Sequence, residues 1–192
     1  MPTIEIRPAR AARFGDVEHA LTGGGDGATC WCQWWMVRGK DWEARSVDEK
    51  REMLRADLEQ SPPSALVAYV DDEPAGWGKV APRPAQPRLA HTRNVQQSPE
   101  PLDDASVWAI TCFVVRREHR RAGLGTALLD AAVAHATQHG ARVIEGYPID
   151  AAVKKASANA LYHGSLSTFL AAGFREVATP APGRPIVSLT VG

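Results

Sequence analysis

The sequence predicts an α/β protein, with one mixed sheet carrying helices on both faces. Three observations lead there. The run Val107–Val115 is apolar, with one hydroxyl and no charge, and is rich in strand formers. An alanine- and leucine-rich helix follows from about Gly123 to His139, closed by Gly140, and a second strand-like run, Arg142–Tyr147, comes next. Upstream, Ala65–Val70 and Ala75–Ala81 flank the turn Asp71-Asp72-Glu73-Pro74 and read as a hairpin.

The remaining elements fall into place around these. Thr3–Pro8 alternates Ile4 and Ile6 with polar residues, as a first strand does. Arg13–Leu21 reads as a short helix, ended by the flexible break Gly23-Gly24-Gly25. Ser46–Gln60 is the clearest amphipathic helix of the N-terminal half. Ser46 stands at its cap with Glu49 at the capping-box position, Val47, Leu54 and Leu58 share a face edged by Met53, and Pro62-Pro63 stops it. Pro82–Asp104 is proline-rich and polar, a long loop. Residues 149–163 form a second insertion of partly helical composition, and Arg184–Val191 closes the sheet.

Composition narrows the function classes. At 192 residues the chain suits a single domain spanning 1–192. Lys plus Arg equals Asp plus Glu at 22 each, so charge argues neither for nucleic acid nor for a membrane surface. No apolar run approaches the ~20 residues of a membrane span, and the N-terminus lacks the apolar core of a signal peptide. Three cysteines, an odd number, point to a reducing compartment. A cytoplasmic protein is the expectation.

Between the apolar strand and the helix lies Arg116-Arg117-Glu118-His119-Arg120-Arg121-Ala122-Gly123-Leu124-Gly125-Thr126. A strand that ends in a basic, glycine-containing turn and opens into a helix is a site for a phosphorylated ligand. The first helical amides lack intrahelical acceptors, the helix dipole adds positive potential, and glycine lets a pyrophosphate approach the backbone. The spacing Arg120-x-x-Gly123-x-Gly125 is neither a P-loop nor a dinucleotide fingerprint.

That spacing resembles the acyl-coenzyme A signature of the GNAT superfamily of N-acetyltransferases, Arg/Gln-x-x-Gly-x-Gly/Ala. Phe169-Leu170-Ala171-Ala172-Gly173-Phe174 is similar to the superfamily's late helix, which ends in Gly-Phe before a strand. The resemblance spans residues 64–191, with residues 9–62 as helices on the acceptor side. It implies a GNAT-like central sheet, mixed and largely antiparallel, in which Val107–Val115 and Arg142–Tyr147 run parallel and splay apart. The coenzyme's arm would lie in that gap, against the backbone of Phe113, Val114 and Val115. Its pyrophosphate would lie on Arg120, Arg121, Ala122, Gly123, Leu124, Gly125 and Thr126. Acetyl-CoA is the implied co-substrate, and the implied reaction is direct attack by a small-molecule or peptide amine in a ternary complex. Members are often homodimers.

N-acetyl transfer needs a base or water relay to deprotonate the amine, a donor for the oxyanion and an acid for the departing thiolate. The backbone amide of Val115 can hold the oxyanion. For the acid, the superfamily places a tyrosine four residues before the glycine of the Gly-Phe pair, where this chain has Phe169. Tyr162 is the alternative, either folded back toward the site or an ordinary surface hydroxyl like Ser165, Ser167 and Thr168. For the base, no glutamate lies in Val107–Val115. Glu145 is the candidate, either facing the splayed cleft or paired with an arginine; Asp103 and Asp104 are weaker ones, and His119 reads as a neighbour of the coenzyme.

Cys30-Trp31-Cys32-Gln33-Trp34-Trp35-Met36 concentrates three of the chain's six tryptophans. Trp31, Trp34 and Trp35 either wall an acceptor pocket or fill a core or dimer contact. Cys-x-Cys without a second ligand pair is a poor zinc signature, so no metal is expected; Cys112 reads as a small buried residue. Two other functions compete. One is a coenzyme A-binding sensor without chemistry, favoured by Phe169 and the missing strand glutamate. The other is a site for a different phosphate ligand or a nucleic acid, opposed by the lack of basic excess.

Overall fold

A computed structural model describes residues 2–153 and 160–192. Among the described residues seven strands form one sheet: β1 (Ile4–Pro8), β2 (Ala65–Val70), β3 (Glu73–Pro82), β4 (Val107–Val115), β5 (Val143–Gly146), β6 (Arg175–Ala181) and β7 (Arg184–Thr190). Their order is β1-β2-β3-β4-β5-β7-β6, antiparallel throughout except for the parallel pair β4–β5. The predicted mixed, largely antiparallel sheet is present. The helices are α1 (Phe14–Thr22), α2 (Gly27–Cys30), α3 (Gly39–Ala44), α4 (Val47–Asp57), α5 (Leu124–Gln138) and α6 (Leu166–Ala171).

Local chemistry explains the boundaries. The Ser46 hydroxyl accepts from the Glu49 amide (3.1 Å) and the Glu49 carboxylate accepts from the Ser46 amide (2.7 Å), a capping box that opens α4. The hairpin turn is shorter than the sequence suggests. Asp71 and Asp72 alone make it, at φ 49° and 66°, so that Glu73 and Pro74 already belong to β3. Two consecutive positive-φ residues match the right-handed twist of the flanking strands. The stretch 82–104 is a loop held by three short 3-10 turns. Of the insertion at 149–163, residues 154–159 lie outside the described residues.

One face of the sheet packs against α5, through Leu124, Leu128, Leu129, Ala132 and Ala136 onto Leu66, Ala68, Trp108, Ile110 and Ile144. The other face packs against α1 and α4, through Val17, Leu21, Leu54 and Leu58 onto Val67, Tyr69 and Trp77. α5 is the crossover that parallel strands require. Among the described residues no helix is long and apolar enough to cross a membrane.

The feature that positions the site is a bulge in β4. Lys79 pairs with Cys112 and Val80 with Ile110, so Thr111 is the extra residue opposite β3. Buried partners hold it there. The Thr111 hydroxyl donates to Gln86 Oε1 (2.6 Å), Gln86 Nε2 donates to the Ala109 carbonyl (3.1 Å), and Trp35 Nε1 donates to the Thr111 carbonyl (3.3 Å). The bulge inverts the strand's faces. Before it Trp108 and Ile110 point to the α5 side; after it Phe113 and Val115 do, while Cys112 and Val114 face the α1 side.

Candidate active site

β5 pairs with β4 only from Val107 to Ile110, opposite Val143 to Gly146. From Thr111 onward β4 has no paired strand on that edge among the described residues, and the splay expected from the sequence is present. The Arg116 amide donates to the Ala75 carbonyl (3.0 Å), which fixes the alternation of the β3–β4 ladder. The Val114 peptide group therefore turns to β3, while the amides of Phe113 and Val115 turn to the open edge.

A cavity of about 640 Å³ occupies that edge. It gathers residues from distant parts of the chain: Phe113, Val114 and Val115 of β4, Arg120 and Gly125 at the start of α5, Trp34 and Trp35, and Tyr162. The sequence names each of these as a candidate. Arg121, Ala122, Gly123, Leu124 and Thr126 complete the same turn outside the cavity wall. Gly123 sits at the N-cap of α5 with φ 80°, in the left-handed region that favours glycine. Ala127 N–H to Gly123 C=O (3.0 Å) begins the helical ladder, so the amides of Leu124, Gly125 and Thr126 stand ahead of it. The Leu124 side chain is buried in the α5 core, leaving its backbone as the part that can meet a ligand. A Cβ added at Gly125 would meet no atom within 4 Å, so the backbone there is open to approach.

Two expectations need correction. Trp31 is no part of the cavity wall; it is buried against Phe14, ring centroids 6.4 Å apart, in the core beneath α1 and α4. Left-handed backbone at Trp31 and Cys32 (φ 47° and 55°) turns the chain between that core and the cavity, which separates Trp31 from Trp34 and Trp35. Glu145 does not face the cavity either. It is fully buried, paired with Arg83 Nη1 (2.8 Å), and accepts from Tyr147 Oη (2.9 Å) and from the Ser98 hydroxyl. Of the two readings left open for it, pairing with an arginine is the one present, in the interior rather than at an edge. Asp104 is held near 2 by Ser106 and Arg142, also away from the cavity.

Other lining residues escaped the sequence. Gly24, Gly25, Asp26 and Gly27 form the wall opposite the turn; a Cβ on Gly24 would lie 3.0 Å from Arg120 Nη2 and 3.3 Å from the Val115 carbonyl. The glycine triplet is thus a close approach between two loops rather than a flexible break. Trp42 on α3 meets Trp34 edge to face (5.3 Å, 85°), with the Lys50 ammonium 3.9 Å above it. The signal was a lone tryptophan on an otherwise polar helix.

The electrostatics are mild. Asp26 is the one carboxylate among the described lining residues. Burial pushes the Cys30 thiol up to about 11, and a hydrogen bond with Cys32, with burial second, raises Cys112. Both stay protonated. Burial likewise raises Tyr162 to about 12, which keeps its O–H as a donor at neutral pH. Phe169 is the residue that the resemblance sets where a tyrosine is expected. Its ring is fully buried between Gly146 and Gly164 and edge-on to Phe113 (6.2 Å).

Known folds share this architecture. The PaiA N-acetyltransferase of Thermoplasma acidophilum, in complex with coenzyme A, superposes with a TM-score of 0.56 at 16% identity, covering 98% of this chain and 99% of that one. An N-acetyltransferase from Staphylococcus aureus Mu50 gives 0.59 at 12% identity, with 99% of each chain covered. The diaminobutyrate acetyltransferase EctA of Paenibacillus lautus, in complex with L-2,4-diaminobutyric acid and coenzyme A, gives 0.54 at 13%, covering 100% of this chain and 96% of that one. No curated protein matches the sequence. The profile of the acetyltransferase (GNAT) family matches residues 31–163, and with the splayed strand pair in place the chain belongs to that family.

Proposed function

We propose that the chain transfers the acetyl group of acetyl-CoA to a primary amine by direct attack within a ternary complex. The observation that carries this reading is the continuity of one cavity from the open edge of β4 to the first turn of α5. The residues present suit the coenzyme. Three amides ahead of the helical ladder, the helix dipole, the open backbone at Gly125 and the Arg120 guanidinium favour a pyrophosphate.

The outward amides of Phe113 and Val115 then serve two needs along the same edge. They supply the oxyanion donor, the role assigned to Val115 from the sequence, and a partner for the polar groups of the coenzyme's arm. Fixed in a strand, they need no reorganisation as charge develops on the thioester oxygen. Tyr162 offers its O–H to the departing sulfur; held protonated, it acts as donor and not as base. The amine's proton leaves through Asp26 or through water, since Glu145 is committed to Arg83. Trp34, Trp35 and Trp42 form the acceptor side, where aromatic faces bury the acceptor's carbon skeleton.

Thermal unfolding with acetyl-CoA at about a hundred times its dissociation constant tests the assignment. Stabilisation of roughly 2.7 kcal/mol is expected, a rise of roughly 5–10 °C for a domain of this size. Gly125→Glu should abolish the rise while leaving the unliganded melting temperature in place, because an acid is tolerated at a helix N-terminus. Amine-dependent release of free thiol then reports transfer. No rise, or a rise that survives Gly125→Glu, overturns the reading.

A further inference from the structure

A second cavity of about 160 Å³ shares the wall formed by Trp34, Trp35 and Tyr162 with the first. At roughly 30 Å³ per water it has room for about five, the size of an amino-acid head group and far too little for a coenzyme. Its other polar lining is Thr92, Asn94, Tyr147, His163 and Arg184, with no aspartate or glutamate among the described lining residues.

Two groups there are unspent. His163 is 7% exposed, and its Nδ1 is buried without a hydrogen-bond partner among the described residues, a costly arrangement unless something occupies the space. Arg184, at the start of β7, makes no ion pair among the described residues, and its charge acts on both His163 and Tyr162. The contrast with Arg83 is direct, since that buried guanidinium has its carboxylate. Burial, with Arg184 second, holds His163 down to about 3, so it stays neutral and with the proton on Nδ1 can donate there.

We propose that this cavity holds the carboxylate of the acceptor, so that the substrate of the reaction proposed above is an amino-carboxylate rather than a simple amine. Arg184 offers the guanidinium fork that carboxylates take up in bidentate fashion, and His163 Nδ1–H and the Asn94 amide supply further donors. The shared wall lets one molecule place its carboxylate here and its amine beside Tyr162. The inference rests on the acetyl-transfer reading for its chemistry but not for its binding.

The test is a set of matched pairs on the full chain with coenzyme A present: lysine against 1,5-diaminopentane, and phenylalanine against 2-phenylethylamine. Equilibrium affinity is read by calorimetry, and the ¹⁵N shift of His163 Nδ1 by NMR. The carboxylate member of at least one pair should bind about tenfold or more tighter and move the His163 signal. Arg184→Gln should bring that pair to parity without weakening the plain amine, and Arg184→Lys should keep part of the preference. Equal affinities in both pairs, no binding by either carboxylate member, or a preference that survives Arg184→Gln overturns the proposal. Thiol release is scored separately. Carboxylate preference without release sinks acetyl transfer and leaves the carboxylate site, whereas release without preference does the reverse.

Discussion

The two halves of β4 share one apolar composition and have opposite fates. From Val107 to Ile110 the strand has neighbours on both edges, and opposite Ala109 the carboxylate of Glu145 is sealed beneath Arg83, Ser98 and Tyr147. From Thr111 to Val115 it pairs with a strand on one edge only and borders a cavity with a single carboxylate among the described lining residues. In the closed half, charge is present and paired. In the open half, charge is scarce, and the fixed dipoles of the backbone are what the strand offers a ligand. Side chains hold the first half together; peptide groups equip the second.

The sharpest way to break the contrast is Glu145→Gln. It leaves the buried Arg83 guanidinium unpaired, so a loss of roughly 3–5 kcal/mol in denaturant unfolding is expected. Adding Arg83→Met should recover much of it. A catalytic base would give the opposite pattern, with stability kept and turnover lost. Tyr162→Phe probes the open half. With its donor gone, kcat should fall on the order of a hundredfold while coenzyme affinity and melting temperature hold; unchanged kcat would remove Tyr162 from the reaction. A smaller effect is expected where the halves meet. An alanine Cβ at 146 would stand 2.3 Å from the Phe169 ring, so Gly146→Ala should cost about 1–3 kcal/mol by overpacking. A neutral result there would mean that Phe169 is free to move.

What was legible in the sequence was local. The strand–turn–helix around Gly123 and Gly125, the capping box of Ser46 and Glu49, and the hairpin are set by residues within a few positions of one another, and the structure keeps them. The late strand β6 was anticipated only as the strand that follows the Gly-Phe pair, because its mostly exposed residues leave no clean alternation to read. Glu145 was misplaced because its partner comes from 62 residues upstream, in a stretch whose prolines say only that it is a loop. Trp31 and Trp34 were grouped by adjacency, yet the backbone turns between them. Gly24 and Asp26 reach the cavity through a loop packing that no period encodes. His163 and Arg184 lie 21 positions apart with nothing in the spacing to join them; the fold brings them to one small cavity.

The extra residue at Thr111 gives β4 a phase shift, so the count of residues in this strand matters more than their identities. Deleting Thr111 would close the bulge into a plain ladder in which Cys112 to Val115 keep their partners on β3, but the buried bonds from Thr111 to Gln86 and Trp35 would be lost. Phe113 and Val115 would keep their outward amides, on a strand without the bend that the bulge imposes beside the cleft. Substitutions at Val114 or Val115 keep the frame and should be absorbed far more readily than the loss of a single residue. A lineage carrying this strand is free to vary its spelling and bound to keep its length.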